Sequence, residues 1–311
     1  MLCTGGAGFV GTHLVQKLRD LGAQVSITDS RVDVTKDVRY LEDLKRTIKT
    51  NKISVVIHLA AQAIVNTANK SPVPTFDTNV RGTWTLLEAC RLSSSVESIT
   101  IASSDKCYGE PQYVPIAEGH PLLALNPYDT SKALEDILAR SYAKTFGMPI
   151  VVSRCSNIYG GGDKHMTRIV PGTIMSVLKG EPPVIRSDGS PRRDYLYVDD
   201  AVECYLRLGE NAGRFKGEAF NFGTGRSCTV LKLTREIIRL CDSKLEPKIL
   251  NVEKNFIKRQ YLDSSKAQKL LGWQAKVSLE DGLRRTISAY RNQMLMAPAV
   301  HPGKRRPIWP Y

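Results

Sequence analysis

A glycine turn at the very start of the chain limits what it can fold into more than any other feature. Thr4-Gly5-Gly6-Ala7-Gly8-Phe9-Val10-Gly11 follows only Met1, Leu2 and Cys3 and runs into a helical pattern. Residues without a Cβ let the backbone approach a pyrophosphate closely, and the next helix offers it free N–H groups and a partial positive charge. Such a turn belongs between a strand and a helix. With three residues ahead of it, the first strand is expected to be very short, which would weaken that edge of the site. The run 24–28 reads as the next strand and leads to Asp29, 18 residues after Gly11. A carboxylate there can accept hydrogen bonds from an adenosine ribose and repels a 2′-phosphate, which favours NAD over NADP. Arg31 nearby is the feature that favours NADP.

β-rich runs at 24–28, 55–59, 98–102 and 149–153 alternate with helical patterns at 11–21, 40–50 and 82–92. Strands separated by helices imply a parallel sheet covered on both faces. The expected fold is therefore α/β: a Rossmann-like, doubly wound parallel sheet with a smaller C-terminal α/β substrate lobe. After about residue 160 the chain turns to Gly- and Pro-rich loops, with helices clearest at 231–241 and 279–291. The expected division is a dinucleotide-binding domain at 1–160 with a returning segment near 194–226. A lobe at 161–297 and a basic, Pro-rich tail at 298–311 follow.

Charge and cysteine usage narrow the function classes. The 44 Lys and Arg against 31 Asp and Glu give a formal net charge of +13, a field that gathers phosphates of any kind. The basic residues are scattered apart from Lys304-Arg305-Arg306, and no nucleic-acid module accompanies them, so a nucleotide is favoured over nucleic acid. The seven cysteines are dispersed without a Cys-x-x-Cys pair, and the five histidines are isolated. This suits reduced thiols in a cytoplasmic protein and gives no metal site. No run approaches the roughly 20 apolar residues of a membrane span.

Tyr128 and Lys132 lie four apart, on one face if helical. An ammonium beside a phenol favours the phenolate and makes it a usable base for a sugar hydroxyl. Ser103 and Ser104 close the strand-like run 98–102 at the end where open α/β sheets bind ligands.

Taken in order, these motifs resemble the extended short-chain dehydrogenase/reductases that modify nucleotide sugars. The resemblance covers nearly the whole chain. It rests on the glycine loop, Asp37-Val38, His58-Leu59-Ala60-Ala61-Gln62, Asn79-Val80-Arg81-Gly82-Thr83, Ser104, Tyr128 with Lys132, Arg193 to Asp200, and Leu271-Gly272-Trp273. It implies cofactor contacts from Gly5, Gly8, Phe9, Val10, Gly11, Asp29, Asp37, Val38, Leu59, Ala60, Ala61, Asn79, Tyr128 and Lys132. It also implies a nucleotide-sugar site with Asn157, Arg168, Arg193, Asn221 and Arg259, in which Arg193 and Arg259 pair with the diphosphate. A homodimer built on helices at about 80–92 and 127–146 is expected on the same ground.

Ser104-Asp105-Lys106-Cys107-Tyr108 resembles the CDP-glucose 4,6-dehydratase branch, where Lys replaces a Glu found in other 4,6-dehydratases. In that reading Tyr128 takes the C4 hydroxyl proton, Asp105 is the acid for the C6 hydroxyl, and Lys106, if neutral, is the base for the C5 proton. Asn66, Thr67 and Ala68, and the segment Arg192-Arg193-Asp194-Tyr195, depart from that branch. A 4-epimerase stays open beside the dehydratase, and a non-catalytic nucleotide-binding protein stands behind both.

Overall fold

A computed structural model describes residues 1–252 and 256–296; the expected basic tail at 298–311 lies outside the described residues. β1 (Leu2–Thr4), β2 (Ser26–Thr28), β3 (Val55–His58), β4 (Ser98–Ala102) and β5 (Ile150–Cys155) form one parallel sheet with the strand Ala219–Phe222. From one edge the order is Ala219–Phe222, β5, β4, β3, β1, β2. The chain therefore leaves β1 for β2 on one side and comes back to β3 on the other, so a crevice opens at the carboxyl ends of β1 and β3. β1 is as short as the sequence implies, but it is not an edge. Each of its three residues registers with both β2 and β3, and all three are buried.

Both faces of the sheet are covered, which is why β4 and β5 are buried at every position. On one face α1 (Phe9–Asp20) packs Leu14, Val15 and Leu18 with Tyr205 and Leu208 of the helix Val198–Asn211. On the other, α2 (Leu41–Thr50) contributes Leu44 and Ile48. The short helices α3 (Val65–Lys70) and α4 (Pro72–Phe76) lead through a π-helical turn, Asp77–Arg81, into α5 (Gly82–Arg91). α5 adds Leu86 and Leu87 to that face, and α6 (Pro127–Phe146) adds Ala139 and Ala143. Proline at the first position of α6 and Gly147 at φ 65° after its end mark where this 20-residue helix starts and stops.

A second core holds Ile174, Leu233, Ile237, Leu283, Ile287 and Tyr290 around Tyr159, Tyr195 and Tyr197. It carries short ladders: Asn157–Tyr159 pairs with Tyr195–Tyr197, and Arg192–Arg193 lies between Cys228–Thr229 and Arg259–Gln260. The chain returns to the six-stranded sheet at 198–222 and then again at 265–273. Trp273 stacks edge-on against Phe222 at 4.9 Å and donates its indole N–H to the Asp200 carbonyl at 3.1 Å. Ala267 and Leu271 pack into the same core, and the Ser264 hydroxyl accepts from the Gly223 N–H at 2.9 Å.

Candidate active site

The glycine turn owes its residue types to crowding. Gly5 sits at φ +68°, donates to the Thr28 carbonyl at 2.8 Å, and a Cβ there would lie 2.7 Å from the Ala60 nitrogen. A Cβ on Gly11 would run into the Gly5 carbonyl, and one on Gly8 would stand 3.0 Å from it. The turn is thus pressed against the end of β3, where Leu59 and Ala60 donate to the Thr4 carbonyl and hydroxyl at 3.1 and 3.3 Å. Ala61 follows, half-buried like Phe9 and Val10 at the start of α1. Beneath it His58 is fully buried between two threonines. The Thr83 hydroxyl donates to the Asn79 carbonyl at 2.6 Å, so His58 Nε2–H donates to Thr83, and Nδ1 accepts from Thr4 at 2.6 Å. Burial, then the Lys132 charge, pushes the imidazole down to about 3.

Asp29 directly follows β2, is 5% exposed, and accepts from the Ala7 N–H at 3.0 Å. Arg31 forks onto it, Nε to Oδ1 at 2.8 Å and Nη2 to Oδ2 at 2.5 Å. Burial alone would raise this carboxyl, but the Arg31 and Ala7 donors hold it below the usual range. The two residues that the sequence set against each other, one for NAD and one for NADP, are bonded to each other. Asp37 is likewise held low, by Arg39. Together with Thr28, Lys36 and Thr47 it lines a cavity of about 150 Å³, while Val38 is buried beneath, against Gly82. A cradle that any Cβ would fill, with the Asp29 carboxylate bonded to its Ala7 N–H, fits a dinucleotide. Asn79 is fully buried. Its amide is spent on Gln62 N–H, Gln62 C=O and Ser131 Oγ at 2.7, 3.1 and 2.8 Å, which clips the loop after β3 to α6.

Tyr128 stands in the first turn of α6 with Lys132 one turn on. Lys132 Nζ donates to the Ala102 carbonyl and to Glu135 Oε2, both at 2.9 Å. Burial raises the Tyr128 phenol, Lys132 offsets only part of this, and Glu135 pushes the same way as burial. In the structure as it stands, the phenol therefore lies above its ordinary value, not below it as the Tyr–Lys spacing suggested. Glu135, fully buried with Oε1 unpartnered, is itself raised to about 7 by burial. Ser104 caps the short 3-10 turn Asp105–Tyr108, accepting from the Lys106 N–H and donating to Asp105 Oδ1 at 3.2 Å. Lys106 Nζ donates to Asp105 Oδ1 at 3.1 Å and to Gln260 Oε1. Two of the three protons of a Lys106 ammonium are thereby engaged, by a carboxylate and an amide.

Of the expected substrate residues, Arg193 bears on this cluster through its charge. It is half-buried, its charge faces Asp105, Glu110 and Asp129, and burial lowers its affinity for a proton. Arg168 pairs with Asp163 at 2.9 Å, and its charge reaches Tyr128. Arg259 is exposed on the neighbouring strand, in register with Arg192. Asn157 donates to the Asp194 carbonyl at 3.0 Å. Asn221 differs from expectation. It is fully buried, accepting from Tyr108 OH at 2.7 Å and donating to the Ile116 carbonyl at 2.8 Å, so its side chain braces the site from within. Three residues escaped sequence reading: Asp129, Glu135 and Gln260. Asp129 follows Tyr128 directly and was in plain view; Gln260 reaches Asp105 across 155 positions, and no local pattern signals that.

The family model of the NAD dependent epimerase/dehydratase family matches residues 1–223. The chain belongs to the NAD-dependent epimerase/dehydratase family. It is 33% identical over 307 residues to a putative UDP-glucose 4-epimerase of Methanocaldococcus jannaschii, covering 94% of this chain and 98% of that protein. Among solved structures, it is similar to the UDP-glucose 4-epimerase of Thermotoga maritima with UDP-glucose (TM-score 0.87, 31% identity, 94% and 99% coverage). It is also similar to the dTDP-glucose 4,6-dehydratase of Streptomyces venezuelae with NAD bound (TM-score 0.84, 28% identity, 94% and 96% coverage). NAD is the cofactor, as the glycine cradle and Asp29 anticipate, and no described helix is long and apolar enough to cross a membrane.

Proposed function

We propose that this family member is a 4,6-dehydratase of a nucleotide-activated hexose, with CDP-glucose as the leading substrate, forming a 4-keto-6-deoxy sugar. The observation that carries it is Asp105: a carboxyl 1% exposed, beside Ser104 at the end of β4, with Oδ2 left without a partner. A 4-epimerase needs only the reversible oxidation at C4 and has no task for a buried acid there. Bound NAD supplies the hydride acceptor at C4 and the hydride donor at C6. Tyr128 takes the C4 hydroxyl proton, Ser104 orients that oxygen, and Lys132 holds positive charge behind the phenol. Asp105 delivers a proton to the departing C6 hydroxyl, and Arg193 with Arg259 neutralises the diphosphate.

The alternative is a 4-epimerase, favoured by the epimerase relatives at 31–33% identity. CDP-, dTDP-, UDP- and GDP-glucose deuterated at C4 separate the two. A dehydratase moves the label to C6 and loses the C6 hydroxyl, whereas a C4 epimer with C6 still hydroxylated sinks the dehydratase reading. A homodimer is part of the same proposal. Trp84 on α5 with Leu134 and Ile137 on α6 leaves large apolar groups in solvent, and such a patch calls for a partner. Light scattering that returns the mass of one chain at micromolar concentration would refute it.

A further inference from the structure

The elimination half of the proposed reaction needs an acid for the C6 hydroxyl and a base for the C5 proton. The base suggested by the sequence is already committed, since Lys106 donates to Asp105 and Gln260 while Gln260 donates to the Asp105 carbonyl at 2.9 Å. A second carboxyl stands beside it. Asp129 is 3% exposed in the first turn of α6. Its Oδ1 has no hydrogen-bond partner, and its Oδ2 has only a long contact from Asn126 at 3.4 Å. The groups whose charges bear on it are Lys106 and Asp105, from the turn after β4, and Arg193 from the short ladder. Asp105 Oδ2 is the other orphaned oxygen there. A buried carboxylate oxygen without a donor is costly, and two around one lysine, next to Tyr128, are what a hydroxyl-rich substrate would occupy.

We propose that Asp129 is the base of the elimination, with Asp105 as its acid and Lys106 as the fixed charge between them. This rests on the dehydratase reading above. The Asp129 carboxylate takes the C5 proton of the 4-keto sugar, and that electron pair becomes the C5–C6 double bond. The C6–O bond breaks as its oxygen takes the Asp105 proton and leaves as water. Asp129 ends protonated and Asp105 ionised, so protons and charge balance, and the ammonium of Lys106 serves whichever carboxyl is negative. The oxidation at C4 does not need Asp129.

The test compares wild type, Asp129→Asn, Asp129→Glu and Lys106→Gln with CDP-, dTDP-, UDP- and GDP-glucose in D2O. Reduced-nicotinamide absorbance reports C4 oxidation, NMR reports deuterium at C5, and mass reports the 6-deoxy product. Asp129→Asn is expected to keep C4 oxidation, to lose C5 exchange and to form product at least about 100-fold more slowly. Asp129→Glu should recover part of the exchange, and Lys106→Gln should lose about tenfold or less. Product formation by Asp129→Asn within about threefold of wild type overturns the assignment, as does loss of C4 oxidation in a variant with unchanged circular dichroism. Abolished C5 exchange in Lys106→Gln, with exchange kept in Asp129→Asn, would return the base role to the lysine. Wild type giving only C4 epimers sinks the dehydratase reading itself, and that is visible before any variant is made.

Discussion

Lys132 Nζ lies 2.9 Å from Glu135 Oε2, with side-chain exposures of 6% and 1%. The ammonium that the Tyr–Lys spacing assigns to the phenol is thus also the counter-ion of a buried carboxyl one turn on. Above the Glu135 value of about 7, this carboxylate raises both Lys132 and Tyr128. Glu135→Gln keeps an acceptor for Lys132 and removes the negative charge. The limb of the kcat/KM profile that reports the phenol should therefore move to lower pH. A limb that stays in place or moves up would show that Glu135 does not act on Tyr128.

The Arg31 guanidinium donates two hydrogen bonds to Asp29, the carboxylate expected to meet the ribose, and the Arg31 N–H donates a third. Arg31→Ala removes the guanidinium and leaves Asp29 free to accept from the ribose and to repel a 2′-phosphate. NAD affinity is expected to stay within about threefold while NADP affinity drops about tenfold or more. Calorimetric titration with both dinucleotides measures this. If NAD suffers more than NADP, Arg31 is itself a ligand for NAD.

The crowding at Gly5 is testable against a second glycine of similar backbone. Gly5 at φ +68° would place a Cβ 2.7 Å from Ala60, whereas Gly22 at φ +83° has nothing within 4 Å. Gly22→Ala should cost about 1 kcal/mol from backbone strain alone. Gly5→Ala adds overpacking, for about 2–4 kcal/mol in all. Urea midpoints decide it, and equal losses would mean that the turn yields to a methyl group.

His58 makes stability depend on acid. Its folded value of about 3 lies below the ordinary 6.5, so the unfolded chain binds the proton first. Its contribution is present above pH 6.5 and is lost as pH falls toward 3. Between pH 7 and pH 5 that amounts to about 2 kcal/mol. Glu135 and Asp194, raised to about 7 and 6, work in the opposite direction, because their stability is present at low pH and lost as pH rises through those values. The comparison must therefore be between wild type and His58→Asn, whose stability should fall less on acidification. Equal pH slopes would assign the acid dependence to other groups.

What the sequence determined by itself was whatever depends on neighbours along the chain. Three glycines before a helix and Asp29 after a strand set the cofactor turn. Alternating strands and helices set a parallel sheet, and Tyr128 to Lys132 set one turn of α6. Tertiary structure decided which polar groups are left for chemistry. Asn79 and Asn221 resemble ligand contacts in sequence, but packing spends their amides on Gln62, Ser131, Tyr108 and Ile116. Lys106 is bound through Gln260 from a strand 154 positions away, and Asp129 is left with an unpaired oxygen. A buried hydrogen bond has two ends, and only folding brings them together. Which carboxyl is satisfied and which waits for a ligand therefore cannot be read from spacing.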